Sequence, residues 1–237
     1  MNSKTRILER LRQGQAQQAT AVDHGDLPAM PRLPETAWKT RFIELMTANH
    51  AQVIECNRAN WIGQLVELLQ QKRLDQLCLG QSPANLELAD VLASRLPELR
   101  LSRFDQALEA YADSRMRVRL FTEMSAGFSR ATAALAETGT LVVASGAEEP
   151  RTLSLVPPLS IILLHQADLV SGFAELIEQP RWQGKLPTNL LLISGPSKTA
   201  DIQQTLAYGA HGPKELVVLL VDECVQDECV QDECASD

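Results

Sequence analysis

The sequence predicts an α/β fold: a three-layer α/β/α sandwich with a mostly parallel sheet, preceded by N-terminal helices. Three observations predict it. Short, continuous apolar runs recur at Thr140–Ala144, Ser160–Leu164, Asn189–Ile193 and Leu216–Val221, and such runs suit strands of a parallel sheet covered on both faces. Segments with apolar residues at helical spacing stand before and between them. Strand and helix alternate, which is the order of a layered α/β domain.

Along the chain, residues 3–19 place Ile7, Leu8 and Leu11 on one helical stripe among Gln and Arg, a weakly apolar arm. Residues 20–37 hold Gly25, Pro28, Pro31 and Pro34 and read as a linker. An arm and linker over 1–37 and an α/β domain over 38–221 are therefore expected. Trp38, Phe42, Met46, Val53 and Ile54 follow one helical spacing, and Trp61, Ile62, Leu65, Val66, Leu68 and Leu69 a second. Both are expected as core helices. Gln76–Leu79 is a short strand, after which Ser82-Pro83 supplies an N-cap and a first-turn proline. Leu88, Val91, Leu92 and Leu96 form the apolar side of the helix that follows. Leu99–Leu101 reads as a strand, Arg117–Leu120 is ambiguous, and Phe173, Leu176 and Ile177 mark a helix closed by Pro180.

Composition excludes several classes. Apolar residues make up 45% of the 237 and charged residues 22%, a globular rather than a disordered balance. The apolar runs are too short to cross a bilayer and the first residues lack a signal-like apolar stretch, so a cytoplasmic protein is expected. Of the net charge of −8, seven carboxylates fall within 222–237, leaving a nearly neutral body. With aromatic residues at only 4%, neither phosphate neutralisation nor base stacking is supported, and nucleic acid is not an expected partner. Residues 222–237 repeat Asp-Glu-Cys at a period of five and read as a disordered acidic tail. Its carboxylates disfavour a neighbouring thiolate, so Cys224, Cys229 and Cys234 are expected to be poor nucleophiles. Cys56 and Cys78 read as buried thiols. No C-x-x-C, H-x-x-x-H or Glu-x-x-His spacing occurs, so no metal site and no cofactor are expected in this chain.

Two polar, glycine-containing segments at strand ends are the candidate sites. Glu137-Thr138-Gly139 precedes the strand TLVVA. Glu137 is the candidate catalytic carboxylate, Thr138 a candidate substrate ligand, and Gly139 the residue that permits an unusual turn. Ser194-Gly195-Pro196-Ser197-Lys198-Thr199-Ala200-Asp201 follows NLLLI. Its small residues expose backbone N–H groups and Lys198 adds a positive charge. Ser194, Gly195, Ser197, Lys198, Thr199 and Asp201 are thus candidates for holding a small anion. No glycine precedes Lys198, so this is not the phosphate loop of a nucleotide hydrolase. His211, between Gly209 and Gly212, is a candidate proton shuttle or a hydrogen-bonding cap. In a uniformly parallel sheet the two segments would lie at opposite ends. They converge only if one of their strands runs antiparallel or if the chain around 136–139 folds back over the rim.

AETGTLVV at 136–143, EEPRTLSLVPP at 148–158, SGPSKTADI at 194–202 and HGPKE at 211–215 resemble, in order and spacing, the lactate utilization protein C family (LutC/YkgG, LUD domain). The resemblance is specific over 118–221, looser over 38–117 and slight over the arm; the Asp-Glu-Cys repeat lies outside it. It implies a fold similar to the NagB/RpiA/CoA-transferase superfamily. It also implies a role in oxidising L-lactate to pyruvate beside partner proteins that carry iron–sulfur clusters, with this chain as the cluster-free component. Glu137-Thr138-Gly139 is also similar to the Glu-x-Gly of CoA-transferases. A stand-alone acyl- or CoA-transferring enzyme acting on a small carboxylate is the alternative.

Overall fold

The structure is a computed structural model and describes residues 4–10, 33–103, 123–182, 187, 189–200, 206–209 and 211–223. The expectations for Arg117–Leu120, Asp201 and the cysteine tail lie outside the described residues, as does most of the linker. The chain divides into two compact units, Met1–Arg32 and Leu33–Asp237. In the first, residues 4–10 form helix α1, whose Ile7 and Leu8 are exposed.

The second unit begins with α2 (Glu35–Ala48), which buries Phe42 and Met46 completely. The helical spacing predicts that α2 continues through Val53 and Ile54, and here the structure differs. His50 turns left-handed at φ 66, and Ala51 N–H returns to Met46 O at 3.0 Å while His50 N–H returns to Thr47 O at 2.9 Å. These two bonds are a Schellman stop. Val53 and Ile54 therefore belong to an unforeseen strand, β1 (Gln52–Asn57). Helix α3 (Trp61–Gln71) ends the same way, with Arg73 at φ 51 and Leu74 N–H on Leu69 O.

Strand β2 (Gln76–Leu79), helix α4 (Pro83–Arg95) and strand β3 (Arg100–Arg103) follow as a pair of parallel strands joined by their helix, with β3 at the edge of the sheet. Ser82 occupies the cap position, but its hydroxyl makes no cap hydrogen bond. Next come β4 (Ala126–Arg130), β5 (Ala133–Leu135), β6 (Thr140–Ser145), α5 (Arg151–Leu155), β7 (Leu159–His165), β8 (Leu169–Val170), α6 (Phe173–Glu178), β9 (Asn189–Ile193), a ribbon of β10 (Lys198–Ala200) and β11 (Leu206–Tyr208), and β12 (Glu215–Asp222).

The central sheet has six strands in the order β1-β12-β7-β4-β2-β3, every pair parallel. On one face α3 and α4 bring Leu65, Leu68, Leu69, Leu88 and Leu92 against Leu77, Phe128, Ile161 and Val217. The other face is covered by α2 and by a second sheet, β8-β5-β6-β9, through Phe42, Met46, Leu141 and Val143 packed on Ile162, Leu164, Val218 and Leu220. The class is α/β with a mostly parallel central sheet, and one covering layer is part helix and part sheet.

TLVVA and NLLLI form strands as expected, but not in the parallel sheet. They are β6 and β9 of the second sheet and run antiparallel, with Leu141 opposite Ile193. The continuous apolar character of β6 has a separate cause: the far face of this sheet is also covered there, by Leu176 and Trp182 on Ala133, Leu135 and Val142, whereas Leu192 of β9 is exposed. Strand β12 runs through Asp222, one residue into the segment expected as tail, and Glu223 lies 3.5 Å from His165 Nδ1. Among the described residues no helix is long and apolar enough to cross a membrane.

Candidate ligand site

The antiparallel pairing of β6 with β9 brings the two candidate segments together. Thr140 opens β6 and Ser194 follows β9, and their hydroxyls are 2.8 Å apart; Thr138 Oγ1 lies 2.8 Å from Thr140 Oγ1. A chain of three hydroxyls thus joins the turn at 136–139 to the loop at 194–197. The end of α2 holds both in place. Gly139 adopts φ 60, and a Cβ there would overlap Leu45, while a Cβ on Gly195 would come within 2.9 Å of Asn49 O. Gly139 is thus required twice, for its left-handed backbone and for close approach to the helix.

The loop after β9 then folds back along the amino edge of the parallel sheet. Ser197 N–H donates to Pro213 O at 2.8 Å and Gly209 N–H donates to Ser197 O at 2.9 Å, so the segment around His211 is stitched to it. Between them lies a cavity of about 190 Å³. Ser194, Gly195 and Ser197 line one side and His211, Gly212 and Pro213 another, with Ser154 and Leu155 of α5 and Ser160 of β7 completing it beside Ile193 and Leu216. Of the residues expected as ligands, Ser194, Gly195 and Ser197 line this cavity. Lys198 is exposed and opens β10 beyond it, and the side chain of Thr199 is outside the described residues. Glu137 does not line it. Its N–H donates to Ser171 O and its carboxylate packs over Gly172, before α6. Thr138 reaches the cavity wall only through the hydroxyl chain.

Ser154 and Ser160 were not legible as site residues. Ser160 lies inside an apolar strand and Ser154 inside a short helix, and only packing brings them to the loops. The signal available was the serine interrupting LSIILL, a polar residue where each neighbour is buried aliphatic.

A second polar group sits at the opposite, carboxyl edge, between β2 and β4. There the connections leave the two strands in opposite directions, the crevice where open α/β sheets often hold ligands. Arg130 Nε donates to Asn85 Oδ1 at 3.0 Å, its backbone N–H donates to Glu149 Oε1 at 2.6 Å, and its guanidinium stands 5.8 Å from the ring centre of Trp61 and 5.7 Å from that of Phe128. Asn85 is fully buried and its Nδ2 has no partner among the described residues. Burial raises the Glu149 carboxyl above the ordinary range, against the opposing pull of the Arg130 N–H and charge. Burial likewise lowers Arg130, against the charge of Glu149 and Glu87. With Gln81 N–H donating to Glu148 O at 2.7 Å, this group pins the loop after β6 onto the sheet. Its hydrogen bonds tie β4, α4 and the loop after β6 together, which makes it a clamp.

Among the described residues no group of three or more His, Cys, Asp or Glu converges as metal ligands. Cys56 and Cys78 are buried and form no disulfide among the described residues, and burial pushes the Cys56 thiol up to about 11.

The fold and its joined loops define a known class. Residues 39–221 match the family model of the LUD domain, and the chain belongs to that family. It is 37% identical over 179 residues to the uncharacterized protein NMB1437 of Neisseria meningitidis serogroup B, covering 74% of this chain and 73% of that one. It is 36% identical over 94 residues to the uncharacterized protein YkgG of Escherichia coli K12, and 31% identical over 126 residues to lactate utilization protein C of Shouchella clausii. These matches cover 38% and 52% of this chain, and only 41% and 55% of those proteins' own lengths. A DUF162 family protein from Deinococcus radiodurans, known from a crystal structure, superposes with a TM-score of 0.54 at 18% identity, over 80% of this chain and 99% of that one. That likeness establishes the fold.

Proposed function

We propose that this chain is the cluster-free component of an L-lactate utilization system, supporting oxidation of L-lactate to pyruvate together with iron–sulfur partner proteins. The observation that carries the reading is membership of the LUD domain family, in which several relatives bear the name lactate utilization protein C. Oxidation of lactate releases two electrons and two protons as the C2 hydroxyl becomes a ketone. Clusters in the partners take the electrons, and this chain contributes binding and presentation of the acid. Removing the gene should abolish growth on L-lactate as sole carbon source, and the wild-type chain supplied in trans should restore it. Normal growth of the deletion strain would refute the reading. Lactate-dependent dye reduction by the co-purified assembly, with and without this chain, checks it in vitro.

The purified chain alone is expected to hold no iron, zinc or flavin in stoichiometric amount, since no ligand spacing for a metal is present in the sequence. Elemental analysis checks this. One metal per chain retained after truncation at Val221 would contradict it, whereas one lost on truncation would place a site among the tail thiols.

A further inference from the structure

We propose that the cavity at the amino edge of the parallel sheet binds a small 2-hydroxy carboxylate and that the buried hydroxyl of Ser160 selects for its hydroxyl group. The identity of the acid rests on the lactate reading; the existence of the site does not. The central observation is Ser160 itself. It is 1% exposed and its Oγ has no hydrogen-bond partner among the described residues. Burying an unpaired hydroxyl is unfavourable, and here it stands in a strand of otherwise aliphatic residues. Side chains alternate along β7, so Ser160 shares the face of Ile162 and Leu164, in register with Leu216 of β12. Ser160 and Leu216 both line the cavity, which places the hydroxyl, itself buried, in its wall. A ligand oxygen supplies the missing partner.

The remaining walls fit the same class of molecule. Leu155, Ile193 and Leu216 offer an apolar surface for a short alkyl end, and Ser194, Ser197 and His211 offer groups for oxygens. Among the described residues no Asp or Glu lines the cavity, and Lys198 and Lys214 follow its two loop segments directly in sequence. At about 190 Å³ the cavity is well below the roughly 300–1,000 Å³ of sites for drug-sized ligands. It suits an acid of few carbons.

The test titrates purified full-length protein with L-lactate, D-lactate and propionate, which lacks only the hydroxyl, and reads binding by calorimetry. Wild-type protein should prefer L-lactate or D-lactate to propionate by about tenfold, the worth of one well-made hydrogen bond. Ser160→Ala should erase that preference by weakening lactate about tenfold and leaving propionate unchanged. It removes an unpaired group, so the fold is retained, and thermal melting verifies this. His211→Ala should weaken all three acids. The proposal is overturned if none of the acids binds at concentrations on the order of 10 mM, or if the preference survives Ser160→Ala. Growth on lactate that depends on this chain while no acid binds would refute the site and leave the proposed function standing. Binding by a chain dispensable for that growth would do the reverse.

Discussion

Gly127→Ala should lower the melting temperature by roughly 6–12 °C, the equivalent of about 3 kcal/mol for a chain of this size. Gly127 lies in the middle of β4, opposite Ser160 of β7. A Cβ at this position would overlap Leu153 O and come within 3.0 Å of Pro157 Cγ. The first of these is backbone within α5, so no rotamer change relieves it and the whole helix must lift from the sheet. That displacement also reaches the proposed site, because α5 carries Ser154 and Leu155 into the cavity wall. Weakened binding of small acids should therefore accompany the stability loss. Gly63→Ala is the control. Gly63 lies inside α3 with nothing within 4 Å of an added Cβ, so alanine should raise stability by about 0.5–1 kcal/mol through helix propensity and a less free unfolded chain. Equal melting of the Gly127→Ala variant and wild type would show that α5 does not rest on β4.

Arg130→Met should cost about 3 kcal/mol at pH 8 and less at pH 5, read by urea denaturation at the two pH values. The substitution removes the guanidinium from between Trp61 and Phe128 and leaves Asn85, fully buried, with both ends of its amide unpaired. The pH dependence comes from Glu149. Its carboxyl is raised chiefly by burial, so the fold favours the protonated form. A raised acid contributes stability below its unfolded pKa, near 4.3 for Glu, and that contribution is lost as pH rises through the folded value. The charge of Arg130 opposes the rise. Without it the carboxyl is raised further, and the penalty for ionising it at pH 8 grows. The deficit against wild type must therefore widen with pH. A deficit of equal size at both pH values would show that Glu149 is indifferent to Arg130.

Much of the fold was legible in the sequence because local chemistry decides it. The runs at Gln76–Leu79, Asn189–Ile193 and Leu216–Val221 are strands within a residue or two of where they are expected. Pro83 opens α4, and Gly139 makes the left-handed turn assigned to it. The stops of α2 and α3 were not legible. His50 and Arg73 take the left-handed position that glycine usually marks, so β1 was absorbed into the preceding helix. The candidate site divides the same way. Ser194, Gly195 and Ser197, which line the cavity, were legible as candidates because a loop of small residues after a strand announces exposed amides. Ser154 and Ser160, which have no such local signature, were missed.

The sequence by itself determined where strands and helices form and which loops are polar, since propensity, periodicity and turn chemistry act over a few residues. Only the tertiary structure decided which strands pair and in which direction. A continuous apolar run records that both faces of a strand are covered, and this holds for β7 in the parallel sheet and for β6 in the antiparallel one alike. The direction of pairing is set by the path of the chain between strands, to which no single segment is sensitive. That choice placed Thr140 against Ser194, closed the loops over Ser160, and made a cavity from residues as far apart in sequence as Ser154 and Leu216.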